Sequence, residues 1–237
     1  MFHTDVSSKT VAKDAPDHAK TAAAFAAALK RAGLEVTGAA YTLSGIPSDR
    51  GGFAAAFEVK SPALRRVKDF AHMVGFVTSS AGNRGFTGYA GGKDLNANEF
   101  YVHSRLDPVG QVQLAKDVDG GMDGIVQAYL DRAAKVATAV PGLRGRKVSP
   151  AVANQFLLGL ARTKQRYYNV SYSAVGFADR AWRDPPFPEG ADRSAWNLLL
   201  AASAAAAHCK PVGSGLDRRW AAHRLLRKLL SGKEAVK

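Results

Sequence analysis

The segment MVGFVTSSAGNRGFTGYAGG, residues 73–92, decides the fold class. Val, Phe, Tyr and Thr recur on both sides of a Ser-Ala-Gly-Asn corner, which is typical of two strands joined by a turn. Similar runs occur at 34–43 (LEVTGAAYTL), 53–60 (FAAAFEVK) and 99–104 (EFYVHS). The connections between these runs are too short for parallel crossovers. The sequence therefore predicts an antiparallel meander of four to five strands.

Helical patterns flank this strand region on both sides. Before it, Phe25 and Leu29 form the apolar stripe of a helix that Gly33 ends, and we expect both side chains in the core. After it, Ser149 followed by Pro150 is a helix start, with Ser as the cap and Pro in the first turn. The predicted helices are 16–32, 121–140, one from 150 onward, 173–182, 193–208 and 216–230. The predicted fold class is α+β, with an N-terminal helix, an antiparallel meander and a helical C-terminal half.

The order of these elements suggests three regions. Residues 1–15 are predicted to be a flexible N-terminus, and residues 16–140 an α+β core that contains the antiparallel sheet. Residues 141–237 form a basic helical region after the sequence PGLRGRK, which we expect to break the chain. That region either packs on the sheet as part of one domain or forms a subdomain.

Composition is that of a folded globular protein, with 237 residues, 46% hydrophobic and 22% charged. The longest apolar run, Trp196 to Ala207, falls short of the about 20 apolar residues of a membrane-spanning helix. Cys209 is the single cysteine and is read as a buried small hydrophobe. The first twenty residues lack the pattern of a secretory signal. We therefore expect a cytoplasmic protein that does not enter the membrane.

Charge is distributed unevenly along the chain. Residues 1–140 carry 16 basic and 14 acidic residues, whereas residues 141–237 carry 17 basic and 6 acidic ones, so +11 of the net charge of +13 lies in the second part. Such an excess favours nucleic acid as the partner, because Lys and Arg that neutralise phosphates release counterions. Anionic membrane, an acidic protein and a merely solubilising excess of Arg are the alternatives.

Three basic groups in the second half are candidate phosphate contacts. The first lies in a Gly-rich loop, the second at a helix end with two tyrosines for base stacking, and the third on the last helix, which reads as amphipathic with Trp220 on its apolar side. The helix macrodipole alone explains basic residues at a helix end, and a solvated outer face alone explains the third group. The candidates are Arg144, Arg146, Lys147; Arg162, Lys164, Arg166, Tyr167, Tyr168; and Arg218, Arg219, Arg224, Arg227, Lys228.

The glycine-rich strand region offers a second kind of contact. Arg84, Tyr89 and Lys93 would form a stacking platform for bases with phosphates beside it. The alternative places Phe86 and Tyr89 in the core of a bulged or kinked hairpin. Because these two residues fall on opposite faces of a regular strand, at most one of them would be exposed. The glycine spacing is not that of a dinucleotide-binding turn.

Motifs of catalysis are missing from the sequence. There is no HExxH, CxxC, Walker A or GxSxG motif and no cluster at metal-ligand spacing. The best remaining candidate is a nuclease centred on Glu99, His103 and Asp107, of which the first two would share a strand face. We expect instead a protein that is not an enzyme and has no cofactor or metal.

Several short motifs resemble the phage- and plasmid-like family called domain of unknown function 932, over about residues 20–230. They are GFVTSSAGNRGFTGYAGG, LNANEFYVHSR, Trp182 with Pro185, and Trp196 with Leu198, Ala201 and Ser203. Two positions depart from the family pattern. The Asn98 turn lacks the family's cysteine, and Leu200 stands where the family has Asn. The resemblance implies a phage, prophage or plasmid origin and an accessory role in DNA metabolism, and carries no catalytic residues.

The functional expectation is a non-enzymatic nucleic-acid-binding protein of a mobile element. Single-stranded DNA is favoured as the ligand, in annealing-type recombination, repair or replication, since no helix-turn-helix is evident. The alternative is a phage structural protein or a host-defence inhibitor that acts through protein–protein contacts. A homo-oligomer is compatible with both.

Overall fold

The computed structural model describes residues 18–43, 52–79, 86–106, 118–162, 170–185, 192–207, 209 and 215–232. Within these ranges, one helix precedes five strands, and five helices follow them. The elements are α1 (His18–Arg31), β1 (Glu35–Leu43), β2 (Gly52–Lys60), β3 (Phe70–Ser79), β4 (Thr87–Asp94), β5 (Glu99–Arg105), α2 (Val118–Gly145), α3 (Pro150–Arg162), α4 (Tyr172–Arg183), α5 (Ala195–Ala207) and α6 (Gly215–Leu230).

The five strands form one sheet in the order β1-β2-β3-β4-β5, and all four pairings are antiparallel. The predicted α+β class with its N-terminal helix, meander and helical C-terminal half is therefore confirmed. The β4–β5 register shifts between Ala90 and Gly91, which confirms the bulged hairpin. A Cβ on Gly91 would overlap the Tyr101 carbonyl of the facing strand, so glycine lets the two backbones approach at the bulge.

Local capping signals place the helix ends. Gly33 has φ +73, and the amide of Leu34 donates to the Leu29 carbonyl at 3.0 Å, which ends α1 in a Schellman motif. Ser149 Oγ accepts from the Val152 amide at 3.3 Å, so the predicted start of α3 is confirmed. Phe25 and Leu29 have no exposed surface, as predicted, and Cys209 is buried.

Both faces of the sheet are covered. On one face, Phe57, Phe76 and Phe86 belong to the large core that α1 and α2 complete. On the other face, a small core contains Met73, Tyr89 and Leu216 together with Ala54, Ala56, Val77 and Val102. On β3 and β4, side chains that point to opposite faces of the sheet are therefore both buried. Phe86 and Tyr89 are 1% and 0% exposed, so alternation along the strand does not produce a solvent face here.

The helix α2 extends beyond its predicted end at residue 140. It passes through Pro141 and ends at Gly145, inside PGLRGRK, so the helix ends five residues later than predicted. Pro141 lacks the amide proton that a helical hydrogen bond needs. Burial of Leu143 and the bond from Arg144 to the Asp94 carboxylate stabilise the last turn nevertheless. The expected division between residues 140 and 141 thus falls inside a helix.

The last helix, α6, packs along β5. Its first turn places Leu216 in the small core, and its middle places His223 against Tyr101 and His103 of β5. Ala222 and Leu226 belong to the large core. The helix therefore lies beside α2, across a groove whose floor includes β5. None of the helices in the described ranges is long and apolar enough to cross a membrane.

Candidate nucleic-acid interface

A groove of about 1470 Å³ separates the C-terminal half of α2 from α6. One wall is built from α2 residues spaced three or four apart, which a helix places on one side. The floor includes His103 of β5 and His223 of α6. The basic side chains that line it are Lys135, Arg146, Arg224, Arg227 and Lys228, and among the described residues no Asp or Glu lines this basic groove.

The described residues give the cations of the basic groove no acidic partner. In the described part of the chain, Lys135, Arg224, Arg227 and Lys228 form no ion pair with a carboxylate, although the acidic residues of α2 are engaged elsewhere. Asp119 and Asp123, for example, pair with Arg31 of α1. Like charges that face one another across a groove repel, and an anion placed between them relieves this repulsion.

Trp220 gives the basic groove an aromatic surface. The guanidinium carbons of Arg224 and Arg105 lie 4.7 and 5.7 Å from its ring centroid, which are cation–π distances. Trp220 is partly exposed and lines the groove. Aromatic rings beside arginines are the usual partners of unstacked bases.

Two histidines meet at the floor, with their ring centroids 4.9 Å apart. His223 Nδ1 lies 2.8 Å from the His103 carbonyl oxygen, which only accepts, so Nδ1 carries the proton. The Nε2 of the neutral ring then accepts from the Tyr101 hydroxyl at 3.2 Å. His103 is held differently, since its Nδ1 contacts Ser104 Oγ at 2.6 Å while the ring lines the groove.

Burial and the surrounding cations keep both rings neutral. Burial, together with charge repulsion from Arg227, Arg132 and Lys135, lowers the pKa of His103 to about 4. Burial likewise lowers the pKa of His223 to about 3, with His103 and Arg227 as additional causes. Arg132 and Lys135 lie on α2 and Arg227 lies on α6, so the positive potential reaches the floor from both walls.

Four of the predicted contact residues meet in the basic groove: Arg146, Arg224, Arg227 and Lys228. Arg146 also fixes the two walls to each other, because its Nη2 donates to the Leu230 carbonyl at the end of α6 at 2.5 Å. Arg224, Arg227 and Lys228 are exposed on α6. The structure therefore brings together part of the predicted loop group and part of the predicted α6 group.

Arg144 has a structural role. Its Nη2 donates to Asp94 Oδ2 at 3.0 Å, its Nη1 donates to the Lys68 carbonyl at 2.6 Å, and its guanidinium lies over the Trp196 ring. Trp196 Nε1 donates to the same Asp94 oxygen at 2.8 Å. Arg144 is thus engaged within the protein, and replacing it together with Arg146 and Lys147 would mix a folding defect with any loss of binding.

Lys147, Lys93 and Arg162 lie apart from the basic groove. Lys147 Nζ donates to the Asp192 carbonyl at 2.5 Å. On the second face of the sheet, Lys93 Nζ donates to Glu58 Oε1 at 2.9 Å. Arg162 is exposed at the end of α3. None of the three is among the residues that line the groove.

Tyr89, Arg218 and Arg219 are buried, which corrects their predicted roles. Tyr89 donates to Asp217 inside the small core and has no surface on which a base could stack. Arg218 is 1% exposed and donates to the Cys209 carbonyl at 3.0 Å. Arg219 pairs with Glu99 at 3.5 Å, and burial lowers its pKa while Glu99 opposes this. The solvated cationic face predicted for α6 therefore begins only at Arg224.

The remaining predicted contacts lie outside the described residues. They are Arg84, Lys164, Arg166, Tyr167 and Tyr168, and the same holds for Asp107 of the nuclease alternative. Of the other two residues of that alternative, Glu99 pairs with Arg219 and His103 lines the basic groove. The described ranges contain no group of three His, Cys, Asp or Glu side chains that could hold a metal ion.

Sequence reasoning missed Lys135 and the two histidines as groove residues, and Arg132 of α2 as a charge that acts on the groove floor. The segment 1–140 is nearly neutral overall, because its acidic residues balance its basic ones in the sum. The helix separates them in space, since Asp119 and Asp123 face Arg31 while Lys135 faces α6. The spacing of Lys135, Thr138, Gly142 and Arg146 was the available signal for one helix face.

Comparisons with known proteins show no relative. No protein-family description matches the chain, and neither the curated proteins nor the solved structures contain a match. The resemblance to domain of unknown function 932 has no support from these comparisons and stays a prediction.

Proposed function

We propose that the protein binds nucleic acid through the basic groove between α2 and α6. The observation that carries this proposal is the lining itself, in which the described residues supply five basic side chains and Trp220 and no carboxylate. Phosphodiester backbones satisfy such a site because each phosphate neutralises a cation and releases counterions. The excess of +11 in residues 141–237 attracts the same ligand over a longer range.

The size of the groove favours a polymer over a small anion. Its volume of about 1470 Å³ exceeds the roughly 300–1,000 Å³ of small-molecule pockets. The lining residues of the α2 wall run from Ala134 to Arg146, about 18 Å at the rise of a helix, and Lys135 and Arg146 place basic groups near its two ends, along a path rather than at one point. A path of this kind suits a chain of phosphates.

Single-stranded DNA is the form we favour. The cations line a concave surface between two helices, which follows one backbone, whereas duplex readers insert a convex helix or ribbon into the major groove. Trp220 with Arg224 offers a place for an unpaired base. We place this activity in annealing-type recombination, repair or replication of a phage or other mobile element, in the host cytoplasm.

The test is the affinity of the full-length protein for a fluorescent oligo(dT) and for a duplex of equal length across a salt series. If all five groove cations are engaged, log Kobs should fall with log[salt] at a slope of about −3.5, because each neutralised phosphate of a single strand contributes about −0.7. Tighter binding of the single strand is expected. Absence of binding at low salt would overturn the proposal and favour an acidic protein as the partner of this surface.

A further inference from the structure

We propose that His103 contacts a phosphate of the bound strand at the floor of the basic groove and takes up a proton there, so that binding tightens as the pH falls. The inference rests on the proposed function and adds a specific residue and a pH response to it. Three features of the structure carry it: the position of His103, the hydrogen bonding of its ring, and the charges around it.

Of the two histidines at the floor, His103 is the one whose ring can hydrogen-bond a ligand. Its Nδ1 is paired with Ser104 Oγ, and no described residue hydrogen-bonds its Nε2. His223 has both ring nitrogens engaged, with the His103 carbonyl and the Tyr101 hydroxyl. A protonated His103 would donate from Nδ1 to Ser104 Oγ and from Nε2 to a phosphate oxygen, so the ring is compatible with the charged state.

Among the described residues, the groups that face His103 are all basic or neutral. From α2 they are Arg132 and Lys135, from α6 His223 and Arg227, and from β5 itself Tyr101 and Ser104. In the free protein these cations oppose a further positive charge, which contributes to the low pKa of His103. A phosphate among them reverses the sign of the local potential and raises that pKa toward its ordinary value.

The direction of the pH effect follows from this rise. At a pH above the pKa of the bound form, His103 is neutral in both states and contributes nothing to the pH dependence. As the pH falls from the bound pKa toward about 4, the complex holds a proton that the free protein lacks, and the affinity increases. One proton limits the change to about tenfold per pH unit.

The experiment measures the affinity for an oligo(dT) without terminal phosphates between about pH 7.5 and pH 5 at constant salt. Neither thymine nor a phosphodiester titrates in this range, so any protonation belongs to the protein. The wild type should bind roughly tenfold more tightly at the lower pH. The His103→Gln variant should bind with similar affinity at both pH values. The control variant His18→Gln changes a half-buried histidine of α1 that does not line the groove, and it should keep the tighter binding at the lower pH.

A second measurement is independent of the variants. The imidazole resonance of His103 should titrate at higher pH with oligo(dT) bound than without it. The inference would be overturned if the ratio of the affinities at pH 5 and pH 7.5 were the same in wild type and His103→Gln, or if the His103 titration did not shift in the complex. In either case, binding of oligo(dT) would still support the proposed function. Absence of binding at every pH would overturn both.

Discussion

At the scale of single residues, buried charges have specific partners. Asp94 is 4% exposed, and its two oxygens accept from the amides of Asn96 and Ala97, from Arg144 and from Trp196. It thus ties the β4–β5 turn to the end of α2 and the start of α5. The sequence indicated only a turn at this position, because the convergence of Arg144 and Trp196 on Asp94 depends on the tertiary fold.

Replacing Asp94 tests this assignment. We expect Asp94→Ala to lower the free energy of unfolding by about 3–5 kcal/mol, because Arg144 loses its carboxylate partner and Trp196 Nε1 loses its acceptor. Asp179→Ala removes the exposed pair with Arg183 and should cost less than about 1 kcal/mol. Urea unfolding followed by circular dichroism measures both. Equal small losses would show that Asp94 does not hold these elements together.

Tyr89 illustrates a limit of sequence reasoning at this scale. Strand alternation correctly separated Phe86 and Tyr89 onto opposite faces, but alternation identifies a solvent face only when one face is uncovered. The start of α6 covers the second face at Leu216, far away in sequence. No local pattern near Tyr89 could have indicated this covering.

At the scale of elements, local signals predicted most boundaries. Apolar periods and caps such as Ser149 and Gly33 are encoded within a few residues, so most bounds of the strands and helices were predicted within one to three residues. Pro141 is the exception. Burial of Leu143 and the contacts of Arg144 outweigh the local preference of proline to end a helix.

The close contact between β3 and β4 gives a prediction at this scale. A Cβ on Gly92 would overlap the Phe70 ring and approach the Ala71 carbonyl at 2.5 Å, so Gly92→Ala should cost about 1–3 kcal/mol in unfolding free energy. A Cβ on Gly124 of α2 would meet nothing within 4 Å, and Gly124→Ala should stabilise by about 1 kcal/mol. Thermal or urea unfolding of the two variants should show opposite signs. The same sign for both would contradict the packing described for this hairpin.

At the scale of the whole molecule, the proposed nucleic-acid interface is formed by α2 and α6, which are far apart in the sequence. Net charge along the sequence pointed to the second half and to α6, and Arg224, Arg227 and Lys228 do line the basic groove. It could not indicate that α2, from the nearly neutral part, supplies the opposite wall with Lys135. Nor could it indicate that Arg218 and Arg219 of the same α6 are buried. Helix packing determines which charged side chains lie on one surface, so the basic groove could be identified only from the fold.

The most direct test of the proposed interface compares two variants of equal charge. Lys135→Gln with Arg227→Gln removes one cation from each wall of the basic groove, and Lys30→Gln with Arg180→Gln removes an exposed Lys and Arg elsewhere. We expect the groove variant to bind oligo(dT) about tenfold or more weakly and with a salt slope shallower by about 1.4, because two phosphate contacts are lost. The control variant should retain the wild-type slope. An unchanged slope in the groove variant, or equal changes in both, would contradict the assignment of the groove as the nucleic-acid interface.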